Sequence, residues 1–163
     1  METEAGAGCR PAGGEDPMFK NILIPTDGSE LSQRAVRAAV ELASLHRARL
    51  TGVHVIPDYH LLIAYEGAFD PVTEERIEEE AKSRAETYLT FIRKMADDAG
   101  VPCDTVCETS DHPHDAILKT ANSRKCDLIV MTSHGRKGLA AVLLGSETRK
   151  VLTHAKVPVL VVR

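Results

Sequence analysis

The densest run of chemistry-bearing residues lies between Met131 and Thr148, MTSHGRKGLAAVLLGSET. Gly135, Gly138 and Gly145 let a backbone approach a ligand closely. Ser146 follows as a natural N-cap for a helix. A helix N-terminus presents unpaired N–H groups and the positive end of a dipole, which together suit an anion. Arg136 and Lys137 add cationic donors beside it. The chemistry these residue types support is phosphate binding. They fit equally a plain glycine-rich turn into a capped helix, with solvated charges. There is no G-x-x-x-x-G-K-[ST] and no G-x-G-x-x-G, so the two familiar phosphate signatures are not available.

Other candidates are weaker. Asp111, His112, His114 and Asp115 have the residue types of metal ligands, but they straddle Pro113 at a helix start. His134 sits in the glycine-rich loop, where it either meets a phosphate or is structural. His54, in an apolar strand, reads as a satisfied core histidine. No Ser/His/Asp or Cys/His arrangement follows from spacing, so no catalytic residue is assigned. The four cysteines, Cys9, Cys103, Cys107 and Cys126, form no CxxC pair and no zinc spacing. Cys103 and Cys107 fall in a strand-like segment and Cys126 leads into another, so buried thiols are expected.

These residues need a scaffold, and the chain alternates strand and helix to supply one. Asn21–Pro25 (NILIP) is a short apolar strand running into the turn Thr26-Asp27-Gly28-Ser29. Leu31, Ala35, Ala38, Leu42 and Leu45 then recur at helical spacing. Arg49–Ile56 is a second strand, Pro57–Val72 a long loop, and Thr73–Ala99 a long helix with Ile77, Ala81, Ala85, Tyr88, Leu89, Ile92 and Ala96 as its stripe. Pro102–Glu108 is a third strand, followed by a helix from Pro113 to about Arg124. Asp127–Thr132 is a fourth strand, Ser146–His154 a last helix and Pro158–Val162 a fifth strand. This order predicts an α/β fold: one open, twisted, five-stranded parallel sheet with helices on both faces. Apolar strands without clean alternation agree with burial on both sides. Residues 1–17, rich in Gly, Pro and Glu, read as a disordered tail before a domain over 18–163.

The composition is that of a globular domain: 163 residues, 43% hydrophobic and 27% charged. A formal net charge of −4 supplies no basic field for nucleic acid or an anionic membrane. The longest apolar runs fall far short of the ~20 residues of a membrane span. The N-terminal stretch lacks the apolar core of a secretory signal, so the reducing cytoplasm is the expected location.

With these residues in view, the chain resembles the universal stress protein family, of the type that binds ATP. That type shares G-x2-G-x9-G-[ST] after its fourth strand. Gly135, nine residues, and Gly145-Ser146 reproduce the second and third glycines and the hydroxyl. SHGRKGL, LLGSETRKVL, the opening FKNILIPTDGSELS and the closing KVPVLVV are similar to the family's wording, over Phe19–Arg163. Thr132 stands where many nucleotide-binding members have the first glycine.

The resemblance implies a Rossmann-like sheet in the order 3-2-1-4-5. It implies ATP, or AMP or ADP, with Mg2+, in the crevice at the strands' carboxyl ends. Pro25, Thr26, Asp27 and Val53 would border the adenosine with Met131 and Thr132. His134, Gly135, Arg136, Gly138, Gly145, Ser146, Glu147 and Thr148 would surround the phosphates. Asp27 would help hold ribose or magnesium, or serve as a plain turn aspartate. The expected function is a nucleotide-binding regulatory module in stress response, dimeric through the edge strand 158–162. A slow ATPase or phosphotransferase, and a dimeric adaptor without nucleotide, are the alternatives.

Overall fold

Ile22, Leu23 and Ile24 point to alternate sides of one strand, yet all three are fully buried, so the sheet containing them is covered on both faces. The computed structural model describes residues 17–58, 71–134 and 144–163. Its elements run β1 (Asn21–Pro25), α1 (Glu30–His46), β2 (Arg49–Ile56), α2 (Pro71–Asp98), β3 (Cys103–Thr109), α3 (Pro113–Ser123), β4 (Leu128–Thr132), α4 (Ser146–His154) and β5 (Val159–Val162). All strand pairs are parallel, in the order β3-β2-β1-β4-β5. The expected fold and strand order are both observed.

One face packs Ile22, Ile24, Leu50, Leu128 and Val130 against α1 and α2. The other packs Leu23, Val53, Ile129 and Met131 against Ile117 and Ala121 of α3 and Val151 of α4. Each large aliphatic side chain so buried stabilises the fold by about 1.5–3 kcal/mol. At the lower end, the Asp127 carboxylate accepts the N–H groups of Lys20 (2.7 Å) and Asn21 (3.1 Å), tying β1 to the start of β4.

The face α1 buries is Ser32, Ala35, Val36, Ala39, Val40 and Ala43. Its small residues let the helix lie close to the sheet. Of the expected stripe, Ala35 is buried and Leu42 packs half-buried against the core, but Leu31 and Ala38 lie at the flank and Leu45 is exposed at 82%. The α2 stripe is as expected, with Ala81, Ala85, Leu89, Ile92 and Ala96 buried.

The expected burial of the thiols holds for Cys126 but not for Cys107, which is exposed. Strand β3 lies at the edge of the sheet and has no fully buried residue, its exposed positions being Asp104, Cys107 and Thr109. Half-buried Cys103 has its thiol pushed up to about 11, first by burial and then by the Asp104 carboxylate. Among the described residues no helix is long and apolar enough to cross a membrane.

Candidate functional site

From β1 the chain passes through α1 to β2 on one side; from β4 it passes through α4 to β5 on the other. The backbones therefore part beyond the carboxyl ends of β1 and β4, the switch point where open α/β sheets bind ligands. A crevice of about 500 Å³ opens there. Pro25, Thr26, Asp27, Ser32, Val53, His54, Val55 and Pro57 line it from the β1–β2 side. Pro113 and Ile117 come from α3, Met131 and Thr132 from β4, and Gly145, Ser146, Glu147 and Thr148 from the start of α4. Ten of the expected site residues thus line one crevice. His134 does not line it, and Gly135, Arg136 and Gly138 lie outside the described residues.

The turn after β1 is held by its own short side chains. The Asp27 carboxylate accepts from Ser29 N–H (3.0 Å) and Oγ–H (2.6 Å), and Ser29 Oγ caps α1 by accepting Ser32 N–H at 3.2 Å. Gly28 takes φ +77°, and a Cβ there would lie 2.2–2.6 Å from three atoms of the Tyr88 ring. Tyr88 of α2 supports the turn from below and meets the His54 ring edge-on at 5.2 Å between centroids.

The ladder between β1 and β2 stops in an unusual way. Its last rung runs from Thr26 N–H to Val53 O at 2.9 Å. In the observed register, the next two rungs of a parallel pair would join Val55 N–H to Thr26 O and Gly28 N–H to Val55 O. Neither forms. The Thr26 carbonyl instead accepts from His54 Nδ1 at 2.7 Å, and Gly28 N–H donates to Thr26 Oγ1 at 3.2 Å. Alternate residues of β2 address alternate neighbours: Leu50 and Ile56 bond toward β3, Arg49 and Val53 toward β1. Val55 therefore turns its N–H and C=O toward the place β1 has vacated, with no backbone partner among the described residues. Sequence reasoning chose Val53, which lines the crevice with its carbonyl spent on the ladder, and did not single out Val55, which lines it too. Only the register could have found it.

Across the crevice, Gly145 N–H donates to Ser133 O at 2.7 Å, and a Cβ on Gly145 would lie 3.3 Å from that oxygen. Close approach, not unusual torsion, explains the glycine. Gly145 itself is the N-cap, and its carbonyl takes Arg149 N–H at 3.0 Å. Ser146 is not the cap that the sequence suggested but the first helical residue. The N–H groups of Ser146, Glu147 and Thr148 precede the first intrahelical bond of α4 and lie at the crevice wall. Thr148 Oγ1 donates to Thr132 O at 2.9 Å. Thr132, 8% exposed, turns its own hydroxyl onto His134 O at 2.6 Å. His134 Nδ1 meets Ser133 Oγ at 2.9 Å, while its Nε2 is buried without a hydrogen-bond partner among the described residues.

The Glu147 carboxylate bridges the two helices that flank the mouth. One of its oxygens accepts His114 N–H at 2.9 Å and lies 3.0 Å from His114 Nδ1; the other meets Lys150 Nζ at 2.9 Å. Burial pushes this carboxyl up, but the hydrogen bonds from Lys150 and from the His114 backbone and ring outweigh it, so it sits below the ordinary value. His114, set aside as a metal ligand by sequence, is thus a tie between α3 and α4.

Comparison with known proteins agrees with this architecture. The model of the universal stress protein family matches residues 18–163. The chain is 37% identical over 149 residues to the universal stress protein in the QAH/OAS sulfhydrylase 3′ region of Thermus aquaticus, covering 90% of this chain and 100% of that one. It is similar to the solved structure of MJ0577 from Methanocaldococcus jannaschii, with 33% identity, a TM-score of 0.71, and 89% and 96% of the two chains covered. A universal stress protein solved in complex with cAMP has 25% identity and a TM-score of 0.62, with 89% and 97% covered. Since the family match runs through every strand and the Thermus aquaticus relative aligns along its whole length, the chain belongs to the universal stress protein family.

Proposed function

We propose that the crevice binds an adenine nucleotide, ATP or its relatives ADP and AMP, and that the protein is a nucleotide-dependent regulatory module in stress response. One observation carries the reading. The crevice has the N–H and C=O of Val55, without a backbone partner among the described residues, on one side and the first N–H groups of α4 on the other. A donor beside an acceptor matches adenine, which offers an acceptor ring nitrogen beside its amino donor. Guanine puts a carbonyl where adenine has the amino group, so two oxygens would oppose each other. The helix N-terminus suits the phosphates, and about 500 Å³ is within the range of small-molecule sites. The cAMP complex of a relative supports the same ligand class. Pro25, Thr26, Val53, Met131 and Thr132 would wall the adenosine, and Gly145 to Thr148, with His134, Gly135, Arg136 and Gly138, the phosphates.

On the described wall the carboxylates are Asp27 and Glu147. Glu147 is engaged by His114 and Lys150 and Asp27 by Ser29; we assign Asp27, which stands in the turn at the carboxyl end of β1, to the ribose or to a magnesium ion carried in on the phosphates. The same engagement makes Glu147 a poor general base, which favours a binding module over an ATPase or phosphotransferase. Residues 18–163 would be the working domain, 1–17 a tail, and the cytoplasm the location.

The module would act as a homodimer through β5. Leu160 and its even-numbered neighbours bond inward to β4, as Ile129 N–H to Pro158 O and Ser133 N–H to Val162 O do. Val159 and Val161 then turn their backbone groups outward, an edge that a second copy would pair antiparallel. A dimeric adaptor without nucleotide is the second reading, and the buried Thr132 in place of a glycine favours it. Calorimetry separates them: ATP or AMP should bind, with GTP roughly tenfold or more weaker. Absence of any adenine-nucleotide binding by the folded protein overturns the first reading.

A further inference from the structure

We infer that His54 is a positioning residue that keeps the Val55 backbone open for a ligand, and this inference rests on the adenine-nucleotide reading of the crevice. The Thr26 carbonyl can only accept, so the 2.7 Å contact identifies Nδ1 as the protonated, donating nitrogen of His54. That carbonyl is the acceptor which the parallel register reserves for Val55 N–H. The imidazole reaches it from the neighbouring residue of the same strand, and Val55 N–H makes no bond to it.

The second rung is diverted in the same way. Thr26 Oγ1 draws off the Gly28 N–H that would have closed on Val55 O. Both strand groups of Val55 are thereby withheld from the β1–β2 ladder, whose pairing ends at Pro25 and Val53. The ring is steadied for this by the edge of Tyr88, which also packs under Gly28. A histidine that read as a core side chain is in this account what turns a strand edge into a donor–acceptor pair.

The test uses the full chain and two variants. His54→Leu removes the donor; His54→Asn places an amide N–H close to where Nδ1 stands. Amide hydrogen exchange at Val55 is read without nucleotide, and ATP affinity is read by calorimetry. In the wild type, Val55 N–H should exchange far faster than Val53 N–H. In His54→Leu the freed Thr26 carbonyl should recruit it, slowing its exchange and weakening ATP by roughly tenfold. His54→Asn should keep fast exchange and bind ATP within about threefold of wild type. A protected Val55 amide in the wild type overturns the inference, as does a folded His54→Leu with unchanged exchange. If His54→Leu does not fold, a tenfold loss in His54→Asn overturns it and retention supports it. Because the exchange arm needs no ligand, a wild type that binds no nucleotide would sink the functional reading while still deciding what His54 does to the ladder.

Discussion

Replacing Gly28 by alanine tests the turn that frames the crevice, because two independent costs meet at one atom. The residue sits at φ +77°, where a side chain costs about 1–2 kcal/mol. The added methyl would lie 2.2, 2.4 and 2.6 Å from Cε1, Cδ1 and Cζ of Tyr88, more than an ångström inside contact. A ring face cannot yield like the end of a flexible chain. Either Tyr88 tilts away from His54 or the turn lifts, a misfit of about 1–3 kcal/mol. The sum is about 2–5 kcal/mol, a fall of roughly 5–15 °C in Tm for a chain of this size. Thermal and urea unfolding followed by circular dichroism would measure it. In a Tyr88→Ala background only the torsional cost should remain, so the double-mutant cycle should return at least about 1 kcal/mol of coupling. An alanine variant as stable as wild type, or an equal loss in both backgrounds, would refute the packing argument.

Gly145→Val should weaken ATP by roughly tenfold or more with the fold retained, since its side chain crowds Ser133 O at the α4 start; unchanged affinity by calorimetry would remove that loop from the site. Glu147, whose pKa is lowered in the folded state, contributes stability that is present above its unfolded value near 4.5 and lost as pH falls through the folded value. Acid unfolding of Glu147→Gln should therefore lack part of the wild-type pH dependence below that point, and superimposable curves would count against the His114–Glu147 tie. Val161→Pro removes an N–H that points out of the sheet, so it should keep the fold and shift a dimer toward monomer by light scattering; a dimeric variant would place the interface elsewhere.

The α2–β2 support under the crevice links recognition to stability. Tyr88, His54, Gly28 and Thr26 form one connected set, so a ligand on Val55 would press on the same residues that hold the turn. Binding to the native state alone raises apparent stability by mass action, about 2.7 kcal/mol at a hundredfold excess over Kd.

Much of this protein was legible in the chain itself. Local pattern carries strand and helix identity, because a buried parallel strand must be apolar on both sides and a helix must present a stripe, as NILIP and the Ala81 to Ala96 series do. The glycine spacing from Gly135 to Gly145-Ser146 pointed to the family, and through it to the strand order, which no periodicity encodes. Tertiary structure decided the rest. The rotation of α1 depends on how closely alanines let it approach the sheet, so Leu45 ended in solvent. The cap of α4 moved to Gly145 because its N–H is drawn to Ser133 O, a contact with the end of another strand. His114 found Glu147 across 33 residues. Val55 became the open position, and His54 its keeper, only through the register of β2 on β1, which is a relation between two segments and is written in neither alone.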